Sequence, residues 1–484
     1  MVEQLKLKWF YLLSALFILL SVLFIANENY WFLLVPFALV LIYIAITAMD
    51  IIIFLIVFST PFAVNLSHNN FRVSLSLPTE PLMFGLMILF FLKVLYEGGF
   101  DSKVLRHPVT IAIIFNLAWM AITSATSSMP MVSFKHLTSR LWFVIVFYFL
   151  CTQLFKNYSN IKKFVWFYTI PLLGVIGYTI YMHQQNGFTE KSAHWVMYPF
   201  YNDHTAYAAV IAMFFPIIVG FIFNKKYSLV VRIASFFVCI ILTLALVLSY
   251  TRAAWVSIVI AFVVYLIFAI RIKFYAVLLT IAAMVILFFS FKTEIMMKLE
   301  KNRQQSSTDL QTHVASISNI STDASNLERI NRWNSAMRMF RERPVFGWGP
   351  GTYQFKYAPY QLSNEMTIIS TNAGTGGNAH SEYIGPLAEE GVLGTATFIF
   401  IIVAMIYRAT MLYTKSKNRE VRLITMGILL GLITYLIHGS LNNFLDTDKA
   451  SVPFWGFVAI LTALDIYHSD KPMNGQVETV NGKP

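Results

Sequence analysis

Between residues 326 and 343, five arginines (Arg329, Arg332, Arg338, Arg341 and Arg343) stand against two glutamates (Glu328 and Glu342). A guanidinium fork matches phosphate oxygens two at a time and keeps its charge, so this surplus suits recognition of a diphosphate. The competing reading is a solvated helix face beside anionic headgroups. Arg252 is more informative. It sits in Ser249-Tyr250-Thr251-Arg252-Ala253-Ala254-Trp255, between two apolar runs with almost no loop. A charge there costs up to about 2.5–3.5 kcal/mol near the bilayer centre and less at the interface, and its bland reading is a snorkelling arginine. His380, in Asn378-Ala379-His380-Ser381-Glu382-Tyr383, could as a neutral imidazole take a proton from a hydroxyl near pH 7. A lone histidine is more often structural. Asp203 and His204 form a second polar pair, with a helix cap as the plain alternative. Trp195, Tyr198 and Tyr201 read as an interfacial belt, whereas His183 and His194 carry no argument beyond position. No H-x-x-x-H or H-E-x-x-H spacing occurs and the two cysteines, Cys151 and Cys239, lie inside apolar runs, so neither a metal nor another cofactor is expected.

The elements that must hold these residues are read from composition. Hydrophobic residues make up 57% of the 484 and charged residues 12%, against roughly 45–50% and about 25% in soluble proteins. This excludes a soluble enzyme, a nucleic-acid binder and a disulfide-built secreted domain. The expectation is an all-α polytopic membrane protein of about 12–14 transmembrane helices. Apolar runs fall at 8–26, 31–48, 50–64, 82–96, 109–123, 141–155, 165–182, 205–223, 233–249, 254–270, 274–291, 392–407, 423–439 and 452–467. The first follows Lys6 and Lys8 with no small-x-small cleavage site after it, and is read as an uncleaved span.

Orientation follows from basic residues in short loops. With the amino terminus in the cytoplasm, twenty Lys and Arg lie inward and six lie in short outward loops, the six including Arg72, Lys135, Arg140 and Arg252. Both termini are therefore expected in the cytoplasm. The organisation is a membrane domain over 1–291, a periplasmic loop over 292–391, a second membrane part over 392–467 and a disordered cytoplasmic tail over 468–484. The loop holds ten basic and ten acidic residues and is neutral as a whole. Its stretch 302–325 is polar and rich in Ser and Thr, and reads as mobile or loosely helical. Ser325-Asn326-Leu327-Glu328 reads as a capping box opening a helix with Leu327, Ile330, Met337 and Phe340 on its apolar face. That helix must stop before Pro344. A tight turn at Gly347, Gly349, Pro350 and Gly351 follows, then a second short helix near 380–390.

Three stretches together resemble the O-antigen ligase family, with its related O-antigen polymerases and bacterial O-linked oligosaccharyltransferases. Thr251-Arg252-Ala253-Ala254-Trp255 is similar to the family's Ser-Arg-Gly/Ala motif, with Thr in place of Ser. Arg329…Trp333…Pro344…Gly347-Trp348-Gly349-Pro350-Gly351 resembles its loop motif. Ala379-His380-Ser381…Glu389-Glu390-Gly391-Val392-Leu393-Gly394 is similar to its Ala-His-Asn…Glu-x-Gly-x-x-Gly motif, with Ser381 in place of Asn. The resemblance covers about 249–394.

It implies a GT-C-like enzyme in the bacterial inner membrane. The donor would be a glycan on undecaprenyl diphosphate, transferred without a metal to a hydroxyl at the periplasmic face, and the acceptor lipid A-core or another glycan or protein. Breaking a sugar–diphosphate bond develops negative charge on the leaving group, which fixed guanidiniums can stabilise. The expected clamp is Arg252 and Arg329, with Arg332, Arg140 and Lys135 as helpers. His380 is expected as the base, with Glu389 orienting or replacing it, and Asp203, His204 and Trp333 as acceptor or glycan contacts. Inversion is expected, since no residue looks like a dedicated glycosyl-enzyme nucleophile. The alternatives are a polysaccharide polymerase, a protein O-oligosaccharyltransferase and, more distantly, a polysaccharide or lipid transporter. A transporter would place its ionisable residues at mid-span and often show inverted repeats.

Overall fold

The computed structural model describes residues 2–67, 74–270, 324–367, 370 and 377–469. The apolar run 274–291, the polar stretch as far as 323 and the tail from 470 lie outside the described residues. Among those described, eleven helices are long and apolar enough to cross a membrane. A bent pair, Phe32–Thr47 with Met49–Phe62, makes a twelfth if it counts as one span. The chain is an all-α polytopic membrane protein.

The chain divides into two compact units, 1–56 and 57–484. The first contains the helices Val2–Ala26 and Val35–Thr47. Two of the expected spans are corrected here. Runs 31–48 and 50–64 form a pair bent by 119° rather than two independent crossings. Neither Gly nor Pro marks the break. Ala48 leaves helical dihedrals (φ −146°, ψ 63°), just after Thr47 donates its hydroxyl back to the Tyr43 carbonyl at 2.8 Å, a bond that bends helices.

In the second unit the run that was expected to reach residue 64 ends as a helix at Phe62 and continues as a strand. Val64–Ser67 pairs antiparallel with Ser74–Leu77 in the register Val64↔Leu77 to Ser67↔Ser74. The alternation V-N-L-S and S-L-S-L is the period-two signal of a half-buried strand. The remaining elements are helical, and their starts are written in the sequence. Pro108 and Pro130 occupy first-turn positions, where the missing N–H costs nothing. Asp203, Ser228 and Asn418 cap helices through their side chains.

Burial sets the layers. All sixteen residues of Asp448–Ala463 are buried, as is most of Arg419–His438, so these apolar helices form the centre. Thr79–Glu97 and Leu229–Leu248 bury only five residues each, as lipid-facing helices do. At one end of this unit Asp101 meets Lys156 at 2.9 Å and Tyr467 at 2.7 Å, and Asp465 meets His107 at 3.0 Å and Arg408 at 2.7 Å. The segments 125–130, 186–204, 249–252, 324–367, 377–383 and 439–447 gather at the other end, the site end.

Candidate active site

Helix Ala324–Glu342 stops before Pro344 as the sequence predicts, but Ser325 already lies inside it. Glu328 does not close a capping box: its Oε1 takes Arg332 Nε at 2.7 Å and its Oε2 takes the Ser370 hydroxyl. Burial would raise the Glu328 carboxyl, yet the hydrogen bonds from Ser370, Arg332 and Asn331 hold it below the usual range. The buried face also differs from expectation. It is Glu328, Asn331, Arg332, Ser335, Ala336 and Met339, whereas Leu327 is exposed. Polar pairing inside the loop outweighs the apolar stripe. Arg338 makes a two-pronged contact with Glu365 at 2.6 Å, and Arg343 lies over the Trp348 ring at 4.1 Å. Arg329 and Trp333, one helical turn apart, share another face. Arg329 Nε donates to the Leu441 carbonyl at 3.2 Å. Trp333 Nε1 donates to the His380 carbonyl at 3.4 Å.

The glycine-rich turn and the Glu-Glu-Gly stretch interlock backbone to backbone. Helix Ile384–Lys415 breaks at Gly391 (φ 72°, ψ −168°), which frees the carbonyls before it. Trp348 N donates to Ala388 O at 3.0 Å, Gly349 N to Glu389 O at 2.7 Å, and Trp119 Nε1 to Glu390 O at 2.9 Å. Val392 N returns to Pro344 O at 2.9 Å. Only glycine fits at 391 and 347. A Cβ would fall 2.0 Å from Val345 O at the first and 2.3 Å from Glu389 C at the second. This interlock delivers the loop helix onto the site end.

There the charged side chains converge. His380 has a left-handed backbone (φ 49°) held by its N–H on Asn378 Oδ1 at 3.1 Å. The Arg329 charge bears on the rings of His380, His204 and His438. His204 and His194 lie with ring centres 4.1 Å apart. The Nδ1 atoms of His204 and His438 are buried with no hydrogen-bond partner among the described residues, an unusual state for buried polar atoms. Burial and the charges of Arg329 and Arg332 push His380 down to about 4, so it is neutral at physiological pH. Thr251 Oγ1 donates to the His204 carbonyl at 3.3 Å, which clips the turn carrying Arg252 to this cluster. Arg252 opens the helix Arg252–Ala269. A cation in a first turn opposes the helix dipole by roughly 0.3–1 kcal/mol, so the position is not chosen for helix stability.

The other expected site residues make the following contacts. Arg332 is buried, pairs with Glu328 at 2.7 Å and lies over the Tyr357 ring at 4.3 Å. Arg140 pairs with Asp446 at 3.2 Å. Lys135 is exposed and its charge bears on Glu80. Glu389 Oε1 accepts the Tyr353 N–H at 2.8 Å, a contact within the loop. Asp203 caps its helix through Thr205 N at 2.7 Å and Ala206 N at 2.9 Å, although its charge still reaches His380. Sequence reasoning passed over His438, which ends a span 58 positions after His380. It set aside His194 for want of any partner in the chain. Among the described residues no group of three His, Cys, Asp or Glu side chains could hold a metal ion.

Fold and site together define a polytopic membrane protein whose chemistry-bearing residues gather at one end of the helix bundle, under a loop locked down by glycines. The family model described as O-antigen ligase matches residues 237–399. The matched part is similar to the O-antigen ligase family and carries Arg252, Arg329 and His380. No curated protein matches the chain.

Proposed function

We propose that the protein is a glycosyltransferase that moves a glycan from undecaprenyl diphosphate to an acceptor hydroxyl at the periplasmic face. The acceptor in this reading is lipid A-core. The observation that carries it is the convergence of Arg329 with His204, His380 and His438 beside the Arg252 turn. In this scheme Arg252 and Arg329 stabilise the diphosphate as the sugar–oxygen bond breaks. The acceptor oxygen attacks the opposite face of the anomeric carbon and gives its proton to His380, so the configuration inverts. Bound diphosphate brings negative charge against Arg329, one of the guanidiniums that depress His380, and so strengthens the base when it is needed. The family match over 237–399 supports the glycosyltransferase class, and the sidedness of basic loop residues supports the periplasmic face.

The test is transfer by the purified protein from undecaprenyl-diphosphate glycan to lipid A-core, with and without EDTA. The reading expects capped lipid A-core, formed equally with chelator. Activity lost in EDTA and restored by a divalent ion would contradict the scheme. Longer carrier-linked chains or glycosylated protein would replace the acceptor by that of a polymerase or a protein transferase.

A further inference from the structure

We infer that Glu382 is a positioning residue of the transfer site: its carboxylate pins the turn 439–447 and thereby fixes where Arg329 and His380 stand. The inference rests on the reading of this site as a glycosyl-transfer centre. Glu382 is only 8% exposed. One oxygen, Oε1, accepts from Tyr435 Oη at 2.6 Å, Phe444 N at 2.8 Å and Leu445 N at 2.9 Å. Its own N–H donates to Gly439 O at 2.8 Å. Three hydrogen bonds at a single residue thus join the segment 377–383 to the turn from Gly439 to Leu445, and a fourth ties it to Tyr435 in helix Arg419–His438.

The turn commits its remaining groups to the site. Leu441 O receives Arg329 Nε, Asn442 Nδ2 lies 3.2 Å from His438 Nε2, and Asp446 pairs with Arg140. Two residues before Glu382, the His380 carbonyl receives Trp333 Nε1. A shift of the turn would therefore move the Arg329 anchor and the His380 peptide together. Three donors on one oxygen suit an ionised carboxylate, since charge-assisted bonds are roughly twice as strong as neutral ones. A glutamine in its place keeps the shape but offers a neutral carbonyl.

Burial pushes the Glu382 carboxyl up to about 7, with Asp446 adding to the rise and Arg140 and the Tyr435 and Leu445 donors opposing it. Asp446 faces it from its own turn, Arg140 from helix Pro130–Val144 and Tyr435 from helix Arg419–His438. As pH falls through that value, protonation removes the charge from these bonds, so turnover should decline well above the range in which His380 titrates.

The experiment uses the full chain in lipid nanodiscs with undecaprenyl-diphosphate glycan, comparing wild type with Glu382→Gln, Glu382→Ala and Tyr435→Phe. Glu382→Gln should lower kcat about tenfold while donor KM changes less than about threefold, the mark of an interaction felt in the transition state. Its Tm should stay near wild type, and its acid limb near pH 7 should vanish. Tyr435→Phe should lower kcat less. If Glu382→Ala fails to fold, the other two variants carry the test. A Glu382→Gln protein with wild-type kcat, or one that keeps the limb near pH 7, overturns the inference. So does one that loses activity only in proportion to its folded fraction. An inactive wild type would instead remove the functional reading beneath it.

Discussion

Removing Arg329 should separate binding from chemistry. Its guanidinium is held by the Leu441 carbonyl beside three imidazoles, and losing one preorganised donor to developing charge typically costs about 10²–10³ in kcat. Arg329→Ala is expected to fall by about that factor while remaining folded, as kinetics and Tm together would show. His380 makes a second prediction. In the free protein the Arg329 and Arg332 charges and burial set it at about 4, and activity that needs the neutral ring is lost as pH falls through that value. Plots of kcat/KM report the free enzyme and kcat the donor complex. The histidine limb should therefore lie near 4 in the first and higher in the second, where diphosphate offsets the guanidiniums. Identical limbs, or an unchanged profile in His380→Ala, would contradict its role as base. Arg252, Arg329 and His380 were legible as candidates because type and local spacing single them out. The hydrogen-bond partner of Glu389 was not, since a carboxylate's partner depends on which distant backbone reaches it, here Tyr353 N.

At the scale of elements, the interlock of 344–351 with 388–392 explains why glycines recur there. Gly391→Ala places a methyl 2.0 Å from Val345 O at φ +72°, and backbone strain of that kind costs about 1–3 kcal/mol before any clash is counted. A clear drop in Tm and loss of transfer are expected, whereas Glu389→Gln, which keeps an acceptor for Tyr353 N, should retain most of its activity. Full stability in Gly391→Ala would show that the break is not required. The loop helix shows how far periodicity carries. Its end before Pro344 was readable. Its buried face was not, because Asn331, Ser335 and Arg332 are buried by partners elsewhere in the loop, among them Gln361 and Glu328. The strands Val64–Ser67 and Ser74–Leu77 escaped for another reason: four-residue alternations beside a long apolar run are swallowed by it.

For the whole molecule, composition and run length made the polytopic helical class legible, whereas the bend at Ala48 has no Gly or Pro to announce it. His438 was invisible because only the packing of Arg419–His438 brings it back to the loop. Sidedness gives a further prediction. With Cys151 and Cys239 replaced by serine, a cysteine at exposed Ser363 should react with an impermeant maleimide added outside intact spheroplasts, and one at exposed Lys103 should not. The reverse pattern would put the site end in the cytoplasm and remove the periplasmic reading. The most direct measurement is an experimental structure of the protein bound to undecaprenyl diphosphate. The account predicts that the diphosphate lies at the site end in contact with the guanidiniums of both Arg252 and Arg329, with His380 facing the vacated sugar position. A diphosphate bound elsewhere, or reached by only one of the two arginines, would contradict it.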